Sequence, residues 1–303
     1  MTGKHFFMGL VLTCLFFGPL KAQDAETLSN QAAEAYEQKQ YAKSAELYGE
    51  AIKRGIKDAG TLYDAACSYA LAGKKGNAFH CLDLAIAAGF QNANHLQEDT
   101  DLISLHTDNR WEAVVQKCRA ALEAYLKTIG NRELRLELLQ MEKVDQEIRN
   151  QLIAETKGPA ILTKMQEVDA RNTSRMEEIL KKYGWPGKSL VGKDGAGAAW
   201  LLVQHADANP AFQKRCLEFM TKAAEKGEVS KPNVAYLTDR VLVAEGKKQI
   251  YGTQFKLENG ELVPSPIEDE ANVDKRRKEV GLQSLDEYKR MMKAVYQPAS
   301  GKQ

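Results

Sequence analysis

Between Leu28 and Phe90 the chain repeats itself at an offset of 34 residues. Ala51-Ile52-Lys53-Arg54-Gly55-Ile56 aligns with Ala85-Ile86-Ala87-Ala88-Gly89-Phe90. The same offset pairs Ala32 with Ala66, Ala35 with Tyr69, Ser44 with Ala78 and Tyr48 with Leu82. A period of this length makes each unit one supersecondary element that cannot bury its apolar face alone and must stack on the next. The small residues fall where two antiparallel helices approach closely, and Tyr48 and Leu82 fall where a larger side chain fills the gap. Polar Gln38-Lys39-Gln40 and Gly73-Lys74-Lys75 supply the turns, and Asn77 is a candidate cap for the following helix.

These two segments resemble tetratricopeptide repeats, and Asp99 through Trp111 resembles the degenerate closing segment that often follows them. Val114, Val115, Cys118 and Leu122 continue a helical face from there. The resemblance implies a concavity that binds a protein or peptide. Two clear units are fewer than the roughly three such stacks need alone, so a spacer that only props up the next domain stands beside that reading.

The first residues read as a targeting segment. Lys4 and His5 precede an apolar run from Phe6 to Phe17, Gly18-Pro19 breaks it, and Ala22 is a suitable cleavage residue. Cleavage near Ala22 would leave Gln23 first and place the protein in the periplasm or outside the cell. Lipidation would need Cys14, where Thr13 and the continuing apolar run fit poorly. No segment is long enough for a membrane span. A net charge of +1 offers no basic surface for nucleic acid. Cys67, Cys81, Cys118 and Cys216 sit in helical patterns among apolar residues and read as buried thiols, with Cys67–Cys81 the one pairing worth testing.

A long helix is expected from Arg132, with Leu134, Leu138, Met141, Ile148 and Leu152 on one face and Asp145 in its middle. A buried carboxylate needs a partner, and Arg149 lies one turn on. The next helix starts at Pro159 and carries Asp169 and Asn172 among Met165, Met176 and Ile179. Such polar interruptions either line a site or tie the two helices together. Lys182 to Gly195 reads as a glycine-rich loop, and Ala198 to Ala206 as a buried helix ending in Gln204 and His205. Helices after Asn209-Pro210 and at Pro232 follow. Gln249 to Leu257 alternates as a strand, Asn259-Gly260 is a hairpin turn, and Pro264 and Pro266 mark an edge ribbon. Two helices close the chain, the last with a Ser284–Glu287 capping box.

The fold class is therefore mostly α: repeat-like helix pairs, then a helical domain with a small β-hairpin. The expected division is a signal segment at 1–22, repeats at 23–128, a helical domain at 129–296 and a frayed tail at 297–303. The second domain resembles an uncharacterised bacterial family of unknown function. The stretches Val203-Gln204-His205-Ala206-Asp207, Tyr236-Leu237-Thr238-Asp239-Arg240 and Gln249-Ile250-Tyr251-Gly252-Thr253-Gln254 mark it. The resemblance brings no activity.

Each polar cluster ends an apolar run, so the clusters are expected to wall one cavity. His205 and Asp207 are the catalytic candidates, since a histidine oriented by a carboxylate, from Asp207, Asp239 or Asp145, suits acid–base work. Asp145, Arg149, Asp169, Asn172, Gln213, Asp239, Arg240, Gln249, Tyr251, Thr253 and Gln254 are the ligand-binding candidates. Gly252 would admit a ligand to the backbone. No spacing signals a metal or cofactor, and none is expected. The leading expectation is an exported binding protein, its repeats on a protein or peptide and its second domain on a small polar ligand. A cell-envelope hydrolase or transferase with His205 as general base is the first alternative, and a structural scaffold the second.

Overall fold

The computed structural model describes residues 20–154 and 159–296. The expected signal segment up to Pro19, Cys14, the Lys157-Gly158 junction and the tail from residue 297 lie outside the described residues. The described chain is mostly helical with one two-stranded antiparallel sheet. None of its helices is long and apolar enough to cross a membrane. It divides into two compact units, one ending at Thr128 and the other beginning at Ile129.

The first unit opens with two helix pairs. Helix α1 (Leu20–Glu37) packs on α2 (Tyr41–Lys53), and α3 (Ala59–Leu71) on α4 (Lys75–Ala87). The close approach is built from alanine: Ala32, Ala45, Ala51, Ala65, Ala66, Ala78 and Ala85 are fully buried. Tyr48 and Leu82 fill the space between them. The two pairs end alike. Gly55 and Gly89 take left-handed φ of 111° and 107°. Beyond them Ile56 donates its N–H to the Ala51 carbonyl at 3.1 Å, and Phe90 to Ala85 at 2.8 Å. The repeated sequence is thus a repeated helix stop. Asn77 is not a cap: α4 already starts at Lys75, so Asn77 lies within its first turn. Helix α5 (Ala93–Glu98), a 3₁₀ turn (Thr100–Leu105) and α6 (Trp111–Leu126) complete this unit. All four described cysteines are buried and free, so Cys67 and Cys81 are not bridged.

The second unit is built on α7 (Arg132–Ala154), α8 (Pro159–Tyr183), α9 (Lys188–Gln204), α10 (Pro210–Glu225) and α11 (Lys231–Ala244). Leu138, Met176, Ile179, Leu202, Val203, Phe212, Met220 and Leu237 make its core. Local signals set the boundaries. Asn131, Asn209 and Ser230 accept hydrogen bonds from first-turn N–H groups of α7, α10 and α11. The expected loop at Lys182 to Gly195 is partly helix. Helix α9 begins at Lys188 and breaks at Gly192, whose φ of 77° and ψ of 171° a side chain would resist.

Strands β1 (Phe255–Glu258) and β2 (Glu261–Pro264) pair about Asn259-Gly260, both left-handed, as a type I′ turn requires. The strand expected from Gln249 starts only at Phe255, because the six residues before it are held in a loop described below. Helices α12 (Val273–Glu279) and α13 (Leu285–Tyr296) close the unit, with the Ser284–Glu287 box in place.

Candidate functional site

The polar residues of the second unit sort into three hydrogen-bonded groups. The first joins α7, α8 and the end of α9. Asp145, on α7, is fully buried. Its Oδ2 lies 2.7 Å from His205 Nδ1 and accepts from Gln146 Nε2 at 2.9 Å and Arg149 Nε at 3.2 Å. A carboxylate only accepts, so the contact puts the imidazole proton on Nδ1. Arg149 Nε lies 2.9 Å from that nitrogen and 3.2 Å from Asp145 Oδ2; with Nδ1 protonated, only the carboxylate can accept its hydrogen. Arg149 Nη2 reaches Asp145 Oδ1 at 3.3 Å and Asp169 Oδ1 at 2.5 Å, and Nη1 reaches Met165 Sδ at 3.1 Å. All three guanidinium nitrogens are engaged, so Arg149 positions two carboxylates and has no donor fork left for an anion. His205 is 21 % exposed at its side chain, and its Nε2 has no hydrogen-bond partner among the described residues.

The two carboxylates are driven in opposite directions. Burial raises Asp145, but His205 and Arg149 outweigh it and hold the carboxyl below its ordinary value. At Asp169 burial prevails over Arg149, with the Asp145 charge adding to it, and the carboxyl is raised. One arginine serves both, and Asp145 has the histidine as well.

A cleft of about 310 Å³ opens beside this group. One wall is a face of α8: Gln166, Asp169, Thr173 and Ser174. The other is the turn after α9, with Ala206 and Asn209. Sequence reasoning singled out Asp169 and missed its neighbours. Their signal was present: polar and small residues recur at 166, 169–170, 173–174 and 177, one helical face of α8. Asn172 points away from solvent at 3 % exposure, with its Nδ2 unpartnered among the described residues, so the Asn172-Thr173-Ser174 sequon is not displayed for glycosylation.

The second group ties α9 to α10 and α11. Buried Gln213 donates through Nε2 to the carbonyls of Val203 (3.1 Å) and Gln204 (3.2 Å) and to Asp207 Oδ1 (3.1 Å). Arg240 bonds Gln204 Oε1 at 3.1 Å and Asp207 at 2.6 Å. Asp207, expected beside His205 as its catalytic partner, faces Arg240 instead. Of the three carboxylates expected as its orienting partner, the one in contact with His205 is Asp145.

The third group is a loop fastened by one carboxylate. Fully buried Asp239 accepts from the N–H groups of Ile250 (2.7 Å), Tyr251 (3.0 Å) and Thr253 (2.9 Å) and from the Thr253 hydroxyl (2.9 Å). Gln249 donates to the carbonyls of Gln254 (2.9 Å) and Ser265 (2.8 Å) and accepts from Gln254 N–H. Gln254 Nε2 turns back to Thr253 Oγ1 at 3.1 Å. Arg277, fully buried, donates to the carbonyls of Tyr251 and Gln283, both at 2.6 Å. Gly252 has φ of 71°, and a Cβ there would meet Ile267 and Leu285 at 2.9 Å. The glycine gives room to core side chains and not to a ligand. Among the described residues no hydrogen bond runs from this loop to the His205 group. The structure therefore brings Asp145, Arg149, Asp169 and His205 together. It places Asp239, Gln249, Thr253 and Gln254 in a separate fastening.

The second unit is thus a bundle of α-helices closed by a hairpin and a bonded loop, with a His–Asp pair beside a cleft. The chain belongs to the family of unknown function DUF6624, which matches residues 132–299. No curated protein and no solved structure matches it.

Proposed function

We propose that the protein is an exported binding protein whose second unit holds a small polar ligand in the cleft between α8 and the turn at 206–209. One observation carries this reading: Asp169 stands on the cleft wall with one oxygen anchored by Arg149, in a position fixed by a buried network. Preformed clefts with few, rigidly held polar groups are the usual form of small-molecule sites. The first unit, read as tetratricopeptide-like helix pairs, would contact a protein or peptide.

The test is a thermal-shift screen of the full chain against amino acids, amines and sugars. A compound that raises the melting temperature of the wild type and not of Asp169→Asn supports the cleft. A hit that stabilises both equally, or no hit at all, contradicts it.

The second reading is a hydrolase or transferase, and the 2.7 Å contact between His205 and Asp145 favours it. A buried carboxylate on Nδ1 leaves Nε2 as the basic nitrogen, the arrangement general-base histidines use. It ranks second because His205 is not on the cleft wall; its neighbour Ala206 is.

A further inference from the structure

A second constellation lies in the first unit, apart from the cleft. Cys67 on α3 and Asp99 and Asp101 at the start of the 3₁₀ turn bring a sulfur and two carboxylate oxygens within 4.8 Å of one another. His95, on α5, places Nε2 3.9 Å from Asp99 Oδ2. Cys67 Sγ lies 3.6 Å from the same oxygen. In a tetrahedral zinc site, bonds of about 2.0–2.3 Å set neighbouring donor atoms roughly 3.3–3.8 Å apart. Cys67 Sγ and Asp99 Oδ2 already stand at that spacing, and the exposed His95 ring, now near Asp99 alone, has room to turn in and complete the set.

Two features separate this group from an ordinary acidic surface. The first is that the carboxylates are aimed by a shell of their own. The Tyr63 hydroxyl donates to Asp99 Oδ2 at 2.9 Å, the Asp101 N–H to Asp99 Oδ1 at 2.9 Å, and the Tyr36 hydroxyl to Asp101. Metal-binding carboxylates are held by such outer donors. The second is charge. Among the described residues no lysine or arginine pairs with either carboxylate; the one basic group within 4 Å is His95. Two neighbouring carboxylates without a fixed cation repel each other unless something positive joins them. Cys67 is 5 % exposed, whereas the His95 side chain is 53 % exposed, which leaves the group an open side.

We propose that Cys67, Asp99, Asp101 and His95 form a binding site for a divalent cation of the zinc class. One thiolate, one imidazole and two carboxylates are the mixed donor set such an ion takes. As the metal–sulfur bond forms, the thiol proton passes to solvent, and the two carboxylates and the thiolate more than offset the ion's two positive charges. Tyr36 and Tyr63 keep their hydrogen bonds and act as positioning residues. The sequence hid the site because Cys67 and Asp101 lie one repeat length apart and no short motif joins them.

The test uses the full chain stripped of metal, titrated with Co²⁺ and then with Zn²⁺. The expected result is one equivalent of Co²⁺ bound with a thiolate-to-cobalt charge-transfer band, bleached by Zn²⁺. Cys67→Ser removes the band. Asp101→Asn weakens binding by about tenfold or more, and Cys81→Ala leaves it unchanged. Far-ultraviolet circular dichroism of each variant checks that the helices persist. A wild-type chain that binds neither ion, a band that survives in Cys67→Ser, or Asp101→Asn binding as the wild type overturns the proposal. So does binding of an arginine-rich peptide by a chain that ignores both metals, since the carboxylates would then serve a cationic partner.

Discussion

Asp145 and Asp169 share one guanidinium yet answer to acid with opposite sign. Asp145 is held below its ordinary value of 3.8. Its stabilisation is complete above that value and drains away as pH falls through the depressed one. Asp169 is held above its ordinary value. Ionising it in the folded state costs stability, so its contribution improves as pH falls through the raised value. Arg149→Ala leaves Asp145 buried with one partner fewer and should cost about 3–5 kcal/mol at neutral pH. Urea unfolding between neutral pH and pH 3 checks the set. Asp145→Asn should be strongly destabilised at neutral pH, and Asp169→Asn little changed or more stable. Equal losses in the two asparagine variants would contradict the assignment.

At the scale of the element, the loop from Gln249 to Gln254 shows a carboxylate overriding a strand pattern. The alternation of that segment was legible, but Asp239 collects three backbone N–H groups that a ladder would have used. No local signal ties residue 239 to residues 250–253. Asp239→Ala should expose the amides of Ile250, Tyr251 and Thr253 to hydrogen exchange and cost about 3 kcal/mol or more, since hydrogen bonds to charged groups contribute roughly 1.5–3 each. Protection unchanged at those amides would contradict the fastening. Gly252→Ala should cost about 1–3 kcal/mol, through its left-handed φ and the crowding at Ile267 and Leu285. A melting curve like that of the wild type would show that the loop has slack. The onset of α9 was misread for a related reason: Gly192 and Gly195 look like loop residues, yet Gly192 breaks the helix locally and Gly195 lets it pack on Arg135.

For the whole molecule, periodicity and capping made the architecture legible. The repeat offset, Asn209-Pro210, Asn259-Gly260 and Ser284 with Glu287 are local features, and the elements they mark formed where expected. The site was legible only in part. Asp145 and Arg149 are one turn apart and could be paired on the page. That His205 would join them, and not Asp207, depends on how α9 lies against α7, which no short spacing encodes. The cleft depends on the same packing, because its two walls come from α8 and from the turn before α10. A small polar ligand is proposed to sit there and not at the loop after α11. The most direct test is amide chemical-shift mapping of the full chain with the compound that gives the largest thermal shift. The expected changes are concentrated at residues 166–177 and 205–209. Changes concentrated at residues 249–254, with the α8 amides unmoved, would contradict it.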